Sequence, residues 1–140
     1  MPELMQQNHG YLEGVGRLRL HYRTWEVPQP QAGVLVVHGL FEHGGRYDEL
    51  AEYLAASRYS TFALDLRGHG SSEGRRGHIR RFDVLLQDLD RFRREVQGLL
   101  PIGVPLFLLG HSMGGFVSIG NLLVLSQACY CPVSLLGLGL

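Results

Sequence analysis

Two spacings of apolar residues recur along the chain. Arg17-Leu18-Arg19-Leu20-His21-Tyr22-Arg23-Thr24-Trp25 alternates polar and apolar positions, which is the period of a half-buried strand. Gly14-Val15-Gly16 supplies a turn before it, so Tyr11 to Glu13 is expected to pair back as a hairpin. Gly33 to His38 is an unbroken apolar, β-branched run, suited to a strand buried on both faces. Val27 to Gln31, with two prolines, reads as the surface connection between them. Ser60 to Leu64 and Val104 to Leu109 are further short apolar runs of strand type, and Val133 to Leu138 is expected as a final strand.

Helical spacing lies between these runs. Tyr47, Leu50, Ala51 and Leu54 share one side of a helix over Tyr47 to Ala56, and Phe82 to Leu100 is a long amphipathic helix. The run from Phe116 to Leu125 continues as a third helix, and Asp65 to Gly77 is a glycine-rich loop. After the opening hairpin, strand and helix alternate. The fold class is therefore α/β, with a mainly parallel sheet and helices on both faces.

Composition narrows this further. A chain of 140 residues with 45% apolar content holds one domain and can bury a core. Thirteen acidic and 13 basic residues cancel, which gives no electrostatic footprint for nucleic acid. All the basic residues are arginine, a bias of composition rather than of chemistry. Those between Arg75 and Arg94 are interspersed with Glu73, Asp83, Asp88, Asp90 and Glu95 and read as a solvated helix face. Met1 to Gln7 has no basic or apolar signal region, and Cys129 and Cys131 are too close to staple a fold. A reduced, cytoplasmic protein is expected. After Glu95 no Asp, Glu, Lys or Arg occurs, and Phe116 to Tyr130 offers only Ser118, Asn121, Ser126 and Gln127 for a polar outer face. A membrane span is the formal alternative, but Gly110, Gly114-Gly115, Gly120 and Pro132 interrupt the run.

The candidate chemistry sits in Gly110-His111-Ser112-Met113-Gly114, a G-x-S-x-G pattern between a predicted strand and a predicted helix. Such a strand-to-helix turn forces its central residue into a strained conformation, and Gly110 and Gly114 remove the Cβ atoms that would clash. The Ser112 hydroxyl then stands at the mouth of the sheet, at the positive end of a helix. Upstream, His38-Gly39-Leu40-Phe41-Glu42-His43 ends a buried strand. Acyl transfer needs donors aimed at the oxygen that becomes negative, and the amides of Met113 and Leu40 are placed to serve. The bland reading of His38-Gly39 is a strand end with a hydrogen-bonded core histidine.

A third signature is Asp65-Leu66-Arg67-Gly68-His69-Gly70. With these three motifs the chain resembles the α/β-hydrolase fold family, and more narrowly its monoacylglycerol lipase and lysophospholipase branch, over about residues 10 to 119. The resemblance implies a serine carboxylic-ester hydrolase. Ser112 would be the nucleophile, the Leu40 and Met113 amides the oxyanion hole, and a small acyl ester the partner. It implies no cofactor, no metal and at most transient contact with a lipid surface. Asp65 and Arg67 would brace the site rather than react. Phe41 stands where such proteins commonly have glycine, which would narrow the entrance.

The family's triad runs Ser, then acid, then His. After Ser112 this chain has no Asp, Glu or His. Residues 1–140 are therefore expected to be the N-terminal part of a single hydrolase domain, without its lid and C-terminal half, catalytically incomplete and prone to aggregate. From about Gly120 the resemblance ends, as a truncation or frameshift would produce. A non-catalytic interaction module is the alternative, and peptidase, thioesterase or haloperoxidase chemistry stays open because the elbow does not distinguish them.

Overall fold

A computed structural model of the chain describes residues 4–124 and the backbone of 133–137. Expectations for Ser126, Gln127, Cys129, Cys131 and the apolar side chains from Val133 onward lie outside the described residues. The elements in chain order are β1 (Gln6–Glu13), β2 (Arg19–Glu26), β3 (Ala32–Val37), α1 (Asp48–Ala55), β4 (Tyr59–Leu64), α2 (Phe82–Leu99), β5 (Leu106–Gly110), α3 (Met113–Val124) and β6 (Val133–Gly137). Short 3₁₀ turns at Val15–Arg17 and Gly44–Tyr47 link β1 to β2 and lead into α1.

One sheet holds all six strands in the order β1-β2-β4-β3-β5-β6. The hairpin is longer than the alternation alone showed: β1 and β2 pair antiparallel from Gln6 with Glu26 to Glu13 with Arg19. β2 joins β4 antiparallel, whereas β4, β3, β5 and β6 run parallel. β3 lies at the centre, and all six of its residues are buried. Its alternate residues serve two layers. Val34 and Val36 pack with Trp25, Ala51, Ala63 and Leu109 beneath α1. Leu35 and Val37 pack with Phe62, Leu64, Leu85, Leu89, Phe92 and Val117 beneath α2 and α3. A two-sided core of this kind is why the β3 sequence is apolar without alternation.

The arginine-rich stretch is not simply a solvated face. Asp88 is 0% exposed, Asp90 4% and Arg93 3%. Arg93 pairs with Asp90 at 2.6 Å, and Arg67 reaches Asp88 through Nε at 2.6 Å and an Nη nitrogen at 3.0 Å. The helix packs widely enough to bury a polar flank, and paired charges make that burial tolerable.

The last helix corrects a second expectation. It starts at Met113, earlier than the periodicity placed it. Ser118 and Asn121 are buried rather than outward: Ser118 Oγ donates to the Gly114 carbonyl at 2.8 Å, and Asn121 Nδ2 donates to the Leu86 carbonyl at 3.1 Å. The exposed face carries Phe116, Ile119, Leu123 and Val124. Among the described residues no helix is long and apolar enough to cross a membrane.

Candidate active site

β5 and β3 are parallel neighbours, with Val37 opposite Gly110, so both chains leave the sheet at the same end. The turn after β5 is Gly110 to Ser112, and Ser112 has φ 55°. That left-handed backbone is costly for a residue with a Cβ, on the order of 1–3 kcal/mol. The neighbouring glycines are needed for space. A Cβ on Gly114 would overlap the Val37 carbonyl oxygen, and one on Gly110 would lie 2.6 Å from the Gly114 carbonyl oxygen. The His111 amide donates to the Val37 carbonyl at 3.1 Å, which clips the turn to the end of β3. Ser112 is exposed, and its hydroxyl has no hydrogen-bond partner among the described residues.

The loop after β3 meets this turn at Gly39, where a Cβ would stand 3.3 Å from both the Nδ1 and the carbonyl oxygen of His111. Glu42 holds the two together. Its Oε2 accepts from the Gly39 amide at 2.7 Å and pairs with His111 Nδ1 at 3.0 Å. Arg46 adds a looser contact to Oε1 at 3.5 Å. Burial alone would raise the Glu42 carboxyl, but the bonds from His111 and the Gly39 amide outweigh it and hold it below the usual range. Burial and the Glu42 carboxylate push the Tyr47 phenol up to about 12. Leu40 is exposed on this loop, and neither its amide nor that of Met113 donates to any group among the described residues. The sequence motifs named both amides; nothing in them pointed to Glu42, whose partner lies 69 residues away.

Phe41 has φ 60° and is exposed. It takes the left-handed backbone that glycine would adopt more easily. Its ring covers Gly77, where a Cβ would lie 2.5 Å from Phe41 Cε1. An open cleft of about 340 Å³ lies beside it, lined by Phe41, Glu42, His69 and Arg76. A larger hollow of about 640 Å³, lined by Met5, Val27, Pro28 and Ala55, lies at the end of the sheet where β3 begins, away from Ser112.

Asp65 and Arg67 occupy positions that brace the loop from 65 to 77. Asp65 is buried, and its carboxylate accepts from the Gly44 amide at 2.7 Å, the Ser71 amide at 3.0 Å and His21 Nδ1 at 3.0 Å. Burial would raise its pKa, yet those donors hold it below the ordinary value. Arg67 ties Asp88 to the Val15 carbonyl, the latter at 2.9 Å. Three upstream histidines have ring nitrogens engaged, while His69 Nε2 is buried without a partner among the described residues. His38 has both ring nitrogens bonded, His43 Nδ1 accepts from the Gly45 amide at 3.1 Å, and His69 Nδ1 bonds the Arg67 carbonyl at 3.0 Å. His38 is thus the hydrogen-bonded core histidine of the bland reading, directly after β3 and two residues before Leu40 on the same loop.

The family model described as serine aminopeptidase S33 matches residues 28–129. The chain belongs to that family. Over 101 residues it is 50% identical to monoglyceride lipase of Rattus norvegicus, covering 71% of this chain and 33% of the relative. It is 38% identical over 96 residues to Phospholipase YtpA of Bacillus subtilis, covering 69% and 36%. A solved structure of a soluble variant of monoglyceride lipase from Saccharomyces cerevisiae, in complex with a substrate analog, superposes with a TM-score of 0.67. That match has 28% identity and covers 84% of this chain and 38% of the other. The expected α/β-hydrolase resemblance and fold class hold. The chain spans about one third of the length of the curated relatives it matches.

Proposed function

We propose that the chain is the nucleophile-bearing part of a serine carboxylic-ester hydrolase acting on monoacylglycerol- or lysophospholipid-like esters. The observation that carries this is the exposed Ser112 at φ 55° between β5 and α3, beside two unengaged amides, Leu40 N–H and Met113 N–H. In this reading Ser112 Oγ attacks the acyl carbonyl, and the two amides receive the oxygen that becomes negative. A histidine oriented by an acid takes the serine proton and returns it to the departing alcohol. Water then hydrolyses the acyl-enzyme. The relatives named as lipase and phospholipase support the ester class over the peptidase in the family's description.

In this reading the base is none of the histidines already described, and no acid or histidine follows Ser112 within residues 113–140. We therefore read residues 1–140 as the N-terminal part of a single hydrolase domain, inactive by itself. An isolated serine is a weak nucleophile, and an oxyanion hole alone gives only residual catalysis. A cytoplasmic setting and transient lipid contact belong to the same reading. It requires neither metal nor organic cofactor.

Translating the coding DNA beyond Leu140 in all frames and labelling the products with a fluorophosphonate tests this. A longer product carrying an acid and then a histidine is expected to label at Ser112, and the Ser112→Ala variant is not. Failure of such a product to label would overturn the enzyme reading in favour of a binding or vestigial role.

A further inference from the structure

Gly39 creates a problem that its neighbours have to solve. The loop approaches the His111 turn closely, and glycine leaves room without displacing Glu42, since a Cβ would lie 2.8 Å from Glu42 Oε2 and 3.3 Å from His111. Yet a glycine lets the following peptide group rotate between two orientations at little cost. In a planar trans peptide the carbonyl and the amide hydrogen point in opposite directions. The Gly39 carbonyl and the Leu40 N–H belong to one such group, and the chain has no cis peptide. Whatever holds the Gly39 oxygen therefore aims the Leu40 N–H.

The Gly39 oxygen is held twice. His38 Nδ1 lies 2.7 Å from it, and the Glu42 amide donates to it at 3.2 Å. A carbonyl can only accept, so His38 Nδ1 carries the hydrogen. The other ring nitrogen, Nε2, accepts from the Leu66 amide at 2.9 Å and therefore carries none. These two bonds define a neutral ring with one tautomer. His38 is 0% exposed, so water cannot take over either bond. The His69 ring tilts against it at 5.2 Å between centroids. Burial pushes the His38 imidazole below its ordinary value, in keeping with a ring that must stay neutral to accept from Leu66.

We propose that His38 is a positioning residue whose Nδ1–H locks the Gly39–Leu40 peptide group, so that the Leu40 amide hydrogen stays turned away from the clamp and free for a negative oxygen. This rests on the proposed role of that amide. In the flipped orientation a carbonyl dipole of the wrong sign would face the oxyanion, and Ser112 would lose one of its two donors. His38-Gly39 is then more than a strand end. The glycine permits the approach and the histidine removes the freedom that the glycine brings.

The test is nuclear magnetic resonance on the ¹⁵N-labelled 140-residue chain. Two-bond nitrogen–hydrogen correlations read the His38 tautomer, and the residual dipolar coupling of Leu40 N–H reads the direction of that bond. His38→Asn keeps a donor near the Nδ1 position, whereas His38→Gln reaches toward Leu66 and leaves the Gly39 oxygen without its ring donor. The wild type is expected to show the Nδ1–H tautomer and a Leu40 coupling that fits the rest of the sheet. His38→Asn should retain that coupling. His38→Gln should lose it through averaging, with the couplings of β1 and β2 unchanged. An Nε2–H tautomer in the wild type, or the same Leu40 coupling in both variants, would overturn the proposal. If neither variant folds, the wild-type tautomer and coupling decide it alone. These readouts need no catalysis, so a failure of Ser112 to label leaves them intact, and a failed lock leaves labelling of a longer product intact.

Discussion

His111 Nδ1 and Glu42 Oε2 meet at 3.0 Å and join the turn that carries Ser112 to the loop that carries Leu40. The same carboxylate oxygen takes the Gly39 amide at 2.7 Å, so one side chain spans both halves of the candidate site. Hydrogen bonds to a charged group are worth roughly 1.5–3 kcal/mol, less where water competes. Glu42→Ala is expected to lower the unfolding free energy by about 1–2 kcal/mol. Urea titration checks this, and a change below the noise of the titration would show that the bridge is dispensable.

Ser112 at φ 55° holds strain that glycine would release. Ser112→Gly should therefore stabilise the chain by about 1 kcal/mol while removing the proposed nucleophile. A stability gain at a residue that contacts so little is the mark of a position kept for chemistry. Thermal melts of the two proteins give the answer, and a loss of stability would count against strain at this turn.

Two adjacent glycines in α3 should respond in opposite ways. A Cβ on Gly114 would overlap the Val37 carbonyl oxygen, whereas on Gly115 its nearest neighbour would be 3.7 Å away. Gly114→Ala is expected to prevent folding or to displace the end of β3. Gly115→Ala should be neutral or stabilising by up to about 1 kcal/mol, the helix propensity difference. Circular dichroism of both variants distinguishes them; equal behaviour would mean that the turn is looser than described.

Asp65 sets an acid limit. Its pKa is depressed in the folded chain, so its stabilising contribution is complete above the unfolded carboxyl value of about 3.9 and falls away as pH drops through the folded value. Stability should decline below about pH 4, and Asp65→Asn should flatten that part of the profile. The substitution also replaces one carboxylate oxygen with a donor, so either the Gly44 amide or the Ser71 amide and His21 lose their acceptor, at a cost of roughly 3 kcal/mol. Denaturant midpoints from neutral to acid pH measure both effects; an unchanged acid limb in the variant would remove Asp65 from the account.

The outer face of α3 predicts a solubility effect. Phe116 is 72% exposed and Leu123 67%, one helical face apart from the buried Ser118 and Asn121. Replacing Phe116 and Leu123 with Gln should change stability by no more than about 0.5 kcal/mol each. It should also reduce the aggregation expected of an apolar surface. Size-exclusion chromatography with light scattering reads it, and unchanged association would place the sticky surface elsewhere.

The kind and order of the elements were legible along the chain. The unbroken apolar runs of β3, β4 and β5, the alternation in β2 and the amphipathic period of α2 each report which sides of an element are buried. That is a local property of spacing. The placement of Ser112, Leu40 and Met113 followed from motif order, because a tight turn between strand and helix restricts which residues can occupy it. The fold supplied what spacing cannot carry. Ser118 and Asn121 look like an outer face in the sequence, yet their backbone partners at Gly114 and Leu86 turn them inward. Asp88 and Arg93 look solvated until Arg67 and Asp90 are found beside them.

What the sequence determined by itself was therefore the α/β architecture and the tight strand-to-helix turn at Gly110 to Gly114, since periodicity and backbone sterics act within a few residues of chain. Only the tertiary structure decided that Glu42 would bridge to His111, that Asp65 would gather Gly44, Ser71 and His21, and that His38 would hold the Gly39 carbonyl with one nitrogen while its other accepted from Leu66. Most of those partners lie tens of residues apart along the chain. A hydrogen bond depends on distance and direction in space, and it is the side-by-side pairing of β3 with β4 and β5 that brings these groups within reach.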